Sequence, residues 1–101
     1  MSDTIEKLIK TIKLRKGNDV KSSYTSFLLS KGNAHCINKL KEEVAELEDA
    51  IKKKKNTVHE TADVIYHLLV TLESACINFN DIIKELKKRE DTSGFEEKKN
   101  R

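Results

Sequence analysis

Apolar side chains recur along this chain at intervals of three and four residues, and short polar clusters interrupt the pattern. This is the spacing of helices that present one face to a core. The first run is Ile5, Leu8, Ile9 and Ile12. Ser2 or Asp3 can cap it, Glu6 falls in its first turn, and Gly17-Asn18-Asp19 ends it. Ser22-Ser23-Tyr24-Thr25 offers caps for a short helix over 25–31, whose Phe27, Leu28 and Leu29 are expected in the core. Gly32-Asn33 stops that helix, and Asn33 can cap the next, over 34–53. There Ile37, Leu40, Val44, Leu47 and Ile51 form a narrow stripe of the bundle type. Thr57 is expected to cap a fourth helix reaching Cys76, with Glu60 placed as in a capping box. Its Val58, Ala62, Ile65, Leu68, Leu69 and Leu72 form one broad apolar side. Val64, Tyr66 and Val70 widen that side almost to the full circumference, which predicts a buried helix. Asn80 or Asp81 can cap a fifth helix through Arg89, with Ile82, Ile83 and Leu86 inward. The pattern predicts an all-α fold, four to five helices in a bundle.

Composition sharpens this picture. Proline is absent, and glycine occurs only at Gly17, Gly32 and Gly94, so little opposes helix. The 101 residues imply one domain. Its core is modest, and a second subunit would help to complete the bundle. Residues from about 90 to 101 are polar apart from Phe95 and read as a tail. Basic and acidic residues number 20 and 17, a net charge of +3. That balance does not point to nucleic acid, although basic groups remain for an anionic small molecule. No apolar run approaches the roughly 18 to 20 residues that span a membrane. The first ten residues lack an apolar signal core, so a soluble, cytoplasmic protein is expected. Cys36 and Cys76 have no partner at metal-ligand spacing and read as buried thiols.

The candidate chemistry lies in two acid-x-x-acid pairs, Glu43-Val-Ala-Glu46 and Glu60-Thr-Ala-Asp63. Residues three apart share a helix face. Glu43 flanks the apolar stripe of the third helix and Glu46 lies one step further round, whereas Glu42 and Asp49 point away and Glu48 reads as a surface charge. On the fourth helix Glu60, Asp63 and His67 line the one strip left by the apolar residues. That helix contains no Lys or Arg, so its acids need a cation from elsewhere, either a metal or a neighbour's lysine. Packed together, the two helices could gather four carboxylates round a divalent cation. Hard oxygen donors favour Mg²⁺, Mn²⁺ or Ca²⁺. Mg²⁺ held in this way keeps positions open for phosphate oxygens and water, and a carboxylate off the metal could accept a proton. One such pair alone is a weak signal. Two on successive helices, the second inside an otherwise apolar helix, are more specific.

Several residues have competing readings. Glu60 could belong to the capping box. His67 could be a ligand, although a hydrogen-bonded helix histidine is commoner, and His35 and His59 read as surface residues. Lys52-Lys53-Lys54-Lys55 could catch phosphate, but a basic run at a helix C-terminus is usually solvated and suits the helix dipole. By spacing, Ser23 and Thr25 read as caps.

The segments Asn38-Lys39-Leu40-Lys41-Glu42-Glu43-x-x-Glu46 and Glu60-Thr-Ala-Asp63-Val-Ile-Tyr66-His67-Leu-Leu-Val resemble the phosphoribosyl-ATP pyrophosphatases of histidine biosynthesis. These are all-α nucleotide pyrophosphohydrolases. The likeness extends to Ser23-Tyr24-Thr25, to Arg89, and to Thr92-Ser93-Gly94-Phe95-Glu96-Glu97-Lys98. The metal motif is shared by the superfamily, whereas the Ser-Tyr-Thr and Ser-Gly-x-Glu-Glu-Lys segments are more particular. The resemblance implies Mg²⁺-dependent hydrolysis of phosphoribosyl-ATP to phosphoribosyl-AMP and pyrophosphate. It implies Glu43, Glu46, Glu60 and Asp63 as metal ligands and catalytic residues, and Ser23, Tyr24, Thr25, Lys31, Lys39 and Arg89 for phosphates and ribose. It also implies a homodimer or higher homo-oligomer with a shared helical core, and a tail that contributes to the site. The chain departs from the family in having Lys41 where glycine is usual. Two other readings use the same residues: a housekeeping nucleoside triphosphate pyrophosphohydrolase, and a non-enzymatic helical dimerisation module.

Overall fold

A computed structural model describes residues 3–90, and these form five α-helices with no strand among them. They are α1 (Asp3–Arg15), α2 (Tyr24–Lys31), α3 (Asn33–Lys53), α4 (Thr57–Ser74) and α5 (Phe79–Glu90). Local chemistry sets the boundaries. Ser23 caps α2: its hydroxyl accepts from the Ser26 amide and donates to Ser26 Oγ. Gly32, at φ +88°, separates α2 from α3 in a conformation that L side chains rarely adopt. Asn78, rather than Asn80 or Asp81, turns the chain into α5, its side chain accepting from the Asn80 amide. None of these helices is long and apolar enough to cross a membrane.

α3 and α4 make the most extensive pairing, and α1 and α2 pack across it. The core holds one or more side chains from each of α1 to α4: Ile12, Leu28, Cys36, Leu69 and Val70. Leu8, Ile9, Leu29, Tyr66 and Phe79 pack against them. Buried polar groups are bonded across helices. Ser26 Oγ donates to the Arg15 carbonyl at 3.0 Å, tying α2 to the end of α1. Thr71 Oγ1 lies 3.2 Å from the Cys36 carbonyl, tying α4 to α3.

Five expectations fail here: Leu86 of α5, expected inward, is 52% exposed because α5 packs only lightly on the other helices, and four more follow. Phe27 lies at the surface, since Leu28 and Leu29 already fill the inward face of the short α2. Cys76 is exposed, beyond the end of α4 at Ser74. His35 is half-buried, its ring edge-on to Phe27. Most telling, α4 is not buried all round: Val58 is 85% exposed, and Ala62, Ile65 and Leu68 are exposed too. The α3 stripe splits in the same way. Leu40 and Leu47 are half-buried, while Ile37, Val44 and Ile51, seven residues apart in turn, face outward. One chain therefore leaves apolar residues of both central helices exposed.

Leu28 is completely buried. Leu28→Ala is expected to cost about 2–5 kcal/mol in urea unfolding. Leu14→Ala, at a position 75% exposed, should stay within about 0.5 kcal/mol of the parent. Equal losses in the two variants would contradict this account of the core.

Candidate functional site

The turn between α3 and α4 determines which carboxylates meet. Lys54 (φ +56°) and Asn56 (φ +60°) both adopt left-handed backbone, and the reversal is closed by the Lys55 amide donating to the Ala50 carbonyl at 3.1 Å. α4 begins at Thr57, one residue earlier than a Thr57 cap requires, with Asn56 in the cap position. The Thr57 hydroxyl is directed at the Ala50 carbonyl, 3.5 Å away. The capping box does not form, and the Glu60 side chain is free for another role.

Glu60 meets α3 instead. One oxygen each from Glu43, Glu46 and Glu60 lie within 4.8 Å of one another, and His59, Glu60 and Asp63 do the same. Glu60 belongs to both groups, so the two acidic pairs form one cluster. Glu42 stands outside it, paired with Lys39 at 3.2 Å, and Glu48 and Asp49 are paired with Lys52 and Lys53 on the solvent side.

The cluster lacks counter-charge. Among the described residues, Glu43, Glu46 and Glu60 make no ion pair with lysine or arginine, and Asp63 has only His59, at 3.3 Å. Glu43 Oε2 and Glu60 Oε2 are buried with no hydrogen-bond partner. Burial pushes the Glu43 carboxyl above its ordinary range; adjacent Glu46 adds to the effect and His67 opposes it. Burial also raises Glu60, again reinforced by Glu46. Such carboxylates relax by taking up a proton or a cation. Glu43, Glu46 and Glu60 present hard oxygen donors within reach of one another, two of them with buried orphaned atoms, and Asp63 adjoins through Glu60; this donor set fits a divalent cation such as Mg²⁺. Lysine neutralisation, the other outcome considered for α4, is absent from these three acids.

His67 is buried and fully engaged: Nδ1 bonds the Asp63 carbonyl at 2.9 Å, and Nε2 lies 3.5 Å from Tyr24 Oη. It braces Tyr24 rather than joining the ligand set. Tyr24, Tyr66 and His67 form an aromatic group at the Glu43 end. Burial raises the Tyr24 phenol and nearby Lys39 opposes the shift, so Tyr24 Oη remains a donor at neutral pH.

The other expected binding residues divide into near and far. Lys39 stands close to Tyr24 and Glu43. The Thr25 hydroxyl bonds Tyr66 Oη. Ser23 is occupied as the α2 cap, and Lys31 lies over the Phe27 ring, 5.3 Å from its centroid. Arg89 is on α5, where Glu85 lies 3.4 Å away. Lys41 is exposed on α3. The tail segment 91–101 lies outside the described residues. Tyr66, expected on the apolar side of α4, also bonds Thr25, and His59, exposed as expected, pairs with Asp63. His59 stands four residues before Asp63, a spacing that by itself signals a helix pair.

Because Glu43 and Glu60 hold protons more readily when folded, their burden on stability is absent below the ordinary carboxylate range and complete above their raised values. Glu60→Gln is therefore expected to melt a few degrees above the parent near pH 7 to 8 without metal, with the gap closing on acidification. Added Mg²⁺ should raise the melting temperature of the parent and leave that of the variant unchanged. A variant that melts no higher than the parent, or responds equally to Mg²⁺, would contradict the crowding.

Residues 5–90 match the family model described as phosphoribosyl-ATP pyrophosphohydrolase. The chain is 42% identical over 100 residues to a phosphoribosyl-ATP pyrophosphatase of Roseobacter denitrificans, covering 97% of this chain and 95% of that protein. It is 42% identical over 99 residues to one from Jannaschia sp., covering 96% and 97%. A third, from Dechloromonas aromatica, is 40% identical over 101 residues, covering 98% and 94%. The match spans both acidic pairs and all but the first residues of the helical framework that brings them together: the chain belongs to the phosphoribosyl-ATP pyrophosphohydrolase family.

Proposed function

We propose that this chain hydrolyses phosphoribosyl-ATP between its α and β phosphates, giving phosphoribosyl-AMP and pyrophosphate, in the second step of histidine biosynthesis and in the cytoplasm. The reading rests on one observation above the rest: Glu43 and Glu46 of α3 meet Glu60 of α4, which also adjoins Asp63, and two of these oxygens are buried and unpartnered. In it, Glu43, Glu46, Glu60 and Asp63 hold Mg²⁺. The bound ion would neutralise phosphate oxygens and lower the pKa of the attacking water. A cluster oxygen not engaged by the cation accepts the proton that water loses. Tyr24 and Lys39, beside Glu43, supply a hydroxyl donor and a positive charge to the nucleotide. Thr25 acts through its bond to Tyr66. Ser23, Lys31 and Arg89 are the further candidates for the phosphoribosyl group and its own phosphate.

The proposal includes a homodimer or higher homo-oligomer. Ile37, Val44 and Ile51 on α3, with Val58, Ile65 and Leu68 on α4, form an exposed apolar face of a kind that seldom stays in water. A second copy would cover it and exclude water from the adjoining acids.

Two measurements test these points. The parent should hydrolyse phosphoribosyl-ATP only with Mg²⁺. Glu46→Gln and Asp63→Asn should each lower kcat/KM by about 10²-fold or more, with the far-UV circular dichroism unchanged. Equal turnover of ordinary dNTPs would favour the housekeeping enzyme. No hydrolysis and no response to Mg²⁺ would favour the dimerisation module. Separately, Val44→Lys combined with Ile65→Lys should convert the oligomer to monomer in light scattering at micromolar concentration, and an unchanged mass would refute the shared face.

A further inference from the structure

The basic run 52–55 is not a uniform solvated helix end. Lys52 pairs with Glu48 at 3.2 Å and Lys53 with Asp49 at 3.0 Å. Lys54 is the left-handed residue that closes α3. Lys55 differs: it has no carboxylate partner among the described residues. It lines an open cavity of about 360 Å³ at the α3–α4 turn. Glu46 and Glu60 of the acidic cluster line the same cavity, and so does Asn56, whose side chain makes no capping bond to α4. The position of Lys55 is set by the left-handed residues on either side of it and by its amide bond to Ala50.

We propose that Lys55, with Asn56, forms a subsite for the terminal phosphates of the substrate and for the pyrophosphate released from them. The proposal rests on the pyrophosphohydrolase reading above and gives the substrate a direction. The two flanks of the acidic cluster differ in chemistry. The Glu43 flank carries Tyr24, Tyr66 and a single lysine, Lys39, already paired with Glu42. Its aromatic faces suit a purine and its sugar. The Glu46–Glu60 flank opens onto the Lys53–Asp49 ion pair, the uncommitted Lys55 ammonium and the Asn56 amide, and the last two are donors that suit phosphate oxygens. The phosphate chain carries more negative charge than a cation at the cluster offsets, so the leaving end needs a positive side chain that the acids are not using. Lys55 meets that need. The nucleoside end then lies toward α2, and pyrophosphate departs past the α3–α4 turn.

The test is calorimetric titration of inorganic pyrophosphate into the full chain at saturating Mg²⁺, for the parent, Lys55→Ala and Lys55→Arg. Lys55→Ala should weaken pyrophosphate binding about tenfold or more, the scale of one charge-assisted contact. Its pyrophosphate inhibition constant should rise in proportion. Binding of 5′-AMP, a probe of the opposite flank, and the melting shift caused by Mg²⁺ should stay as in the parent. Lys55→Arg should return pyrophosphate affinity to within about threefold, since either side chain supplies the charge. A Lys55→Ala chain that binds pyrophosphate as tightly as the parent overturns the subsite, as does a parent that binds none. Failure of the enzymatic reading is scored separately, by the absence of phosphoribosyl-ATP hydrolysis in the parent.

Discussion

Mutual repulsion among four carboxylates is the constraint around which this chain is arranged. Glu43 and Glu46 come from α3, Glu60 and Asp63 from α4, and Glu60 touches both halves of the cluster. An exposed cluster of acids would be screened by water and salt. Here two oxygens are buried without partners, so the repulsion is expressed, and Glu43 and Glu60 are shifted toward protonation. A molecule of this size has stability of only a few kcal/mol to set against such strain. A cation held between these acids would relieve that strain, and the same unrelieved charge would favour its binding.

The rest of the fold holds the two helices against that repulsion. α1 and α2 pack across the α3–α4 pair and contribute Ile12 and Leu28 to a core completed by Leu69 and Val70. Thr71 ties α4 to α3. The turn contributes as much as the core does. With Asn56 in the cap position and Thr57 already helical, Glu60 points across to Glu46 instead of back to its own helix terminus. His67, held by the Asp63 carbonyl and reaching toward Tyr24, fixes the aromatic flank at the other end. The site thus has an aromatic side and a basic side, with the acids between them.

Much of this was legible in the chain. Spacings of three and four, punctuated by Gly17, Gly32 and the polar turns, locate all five helices, because periodicity and breakers are local properties. The acidic pairs were legible for a specific reason: a carboxylate in an apolar helix without Lys or Arg demands a partner from elsewhere. The failures have two sources, burial that depends on the whole fold and turn chemistry that the residue types disguise. The pattern of α4 gives its total apolar content but not how much of it one chain can cover, so Ile65 and Leu68 seem buried and are not. The cap at Asn56 depends on left-handed backbone at a non-glycine residue, which Thr57 and Glu60 mask by imitating a capping box. Lys55 looks like its three neighbours until the fold pairs Lys52 and Lys53 with carboxylates, makes Lys54 the left-handed cap and leaves Lys55 without a carboxylate partner among the described residues.

The most direct test of the central claim is diffraction from crystals grown with Mn²⁺, with anomalous scattering recorded at the manganese edge. The account predicts an anomalous peak within coordination distance of Glu43, Glu46, Glu60 and Asp63 oxygens, about 2.0–2.3 Å, with the Glu43 and Glu60 oxygens now engaged. Carboxylates turned apart into solvent, or bridged by lysine or arginine with no peak between them, would contradict it.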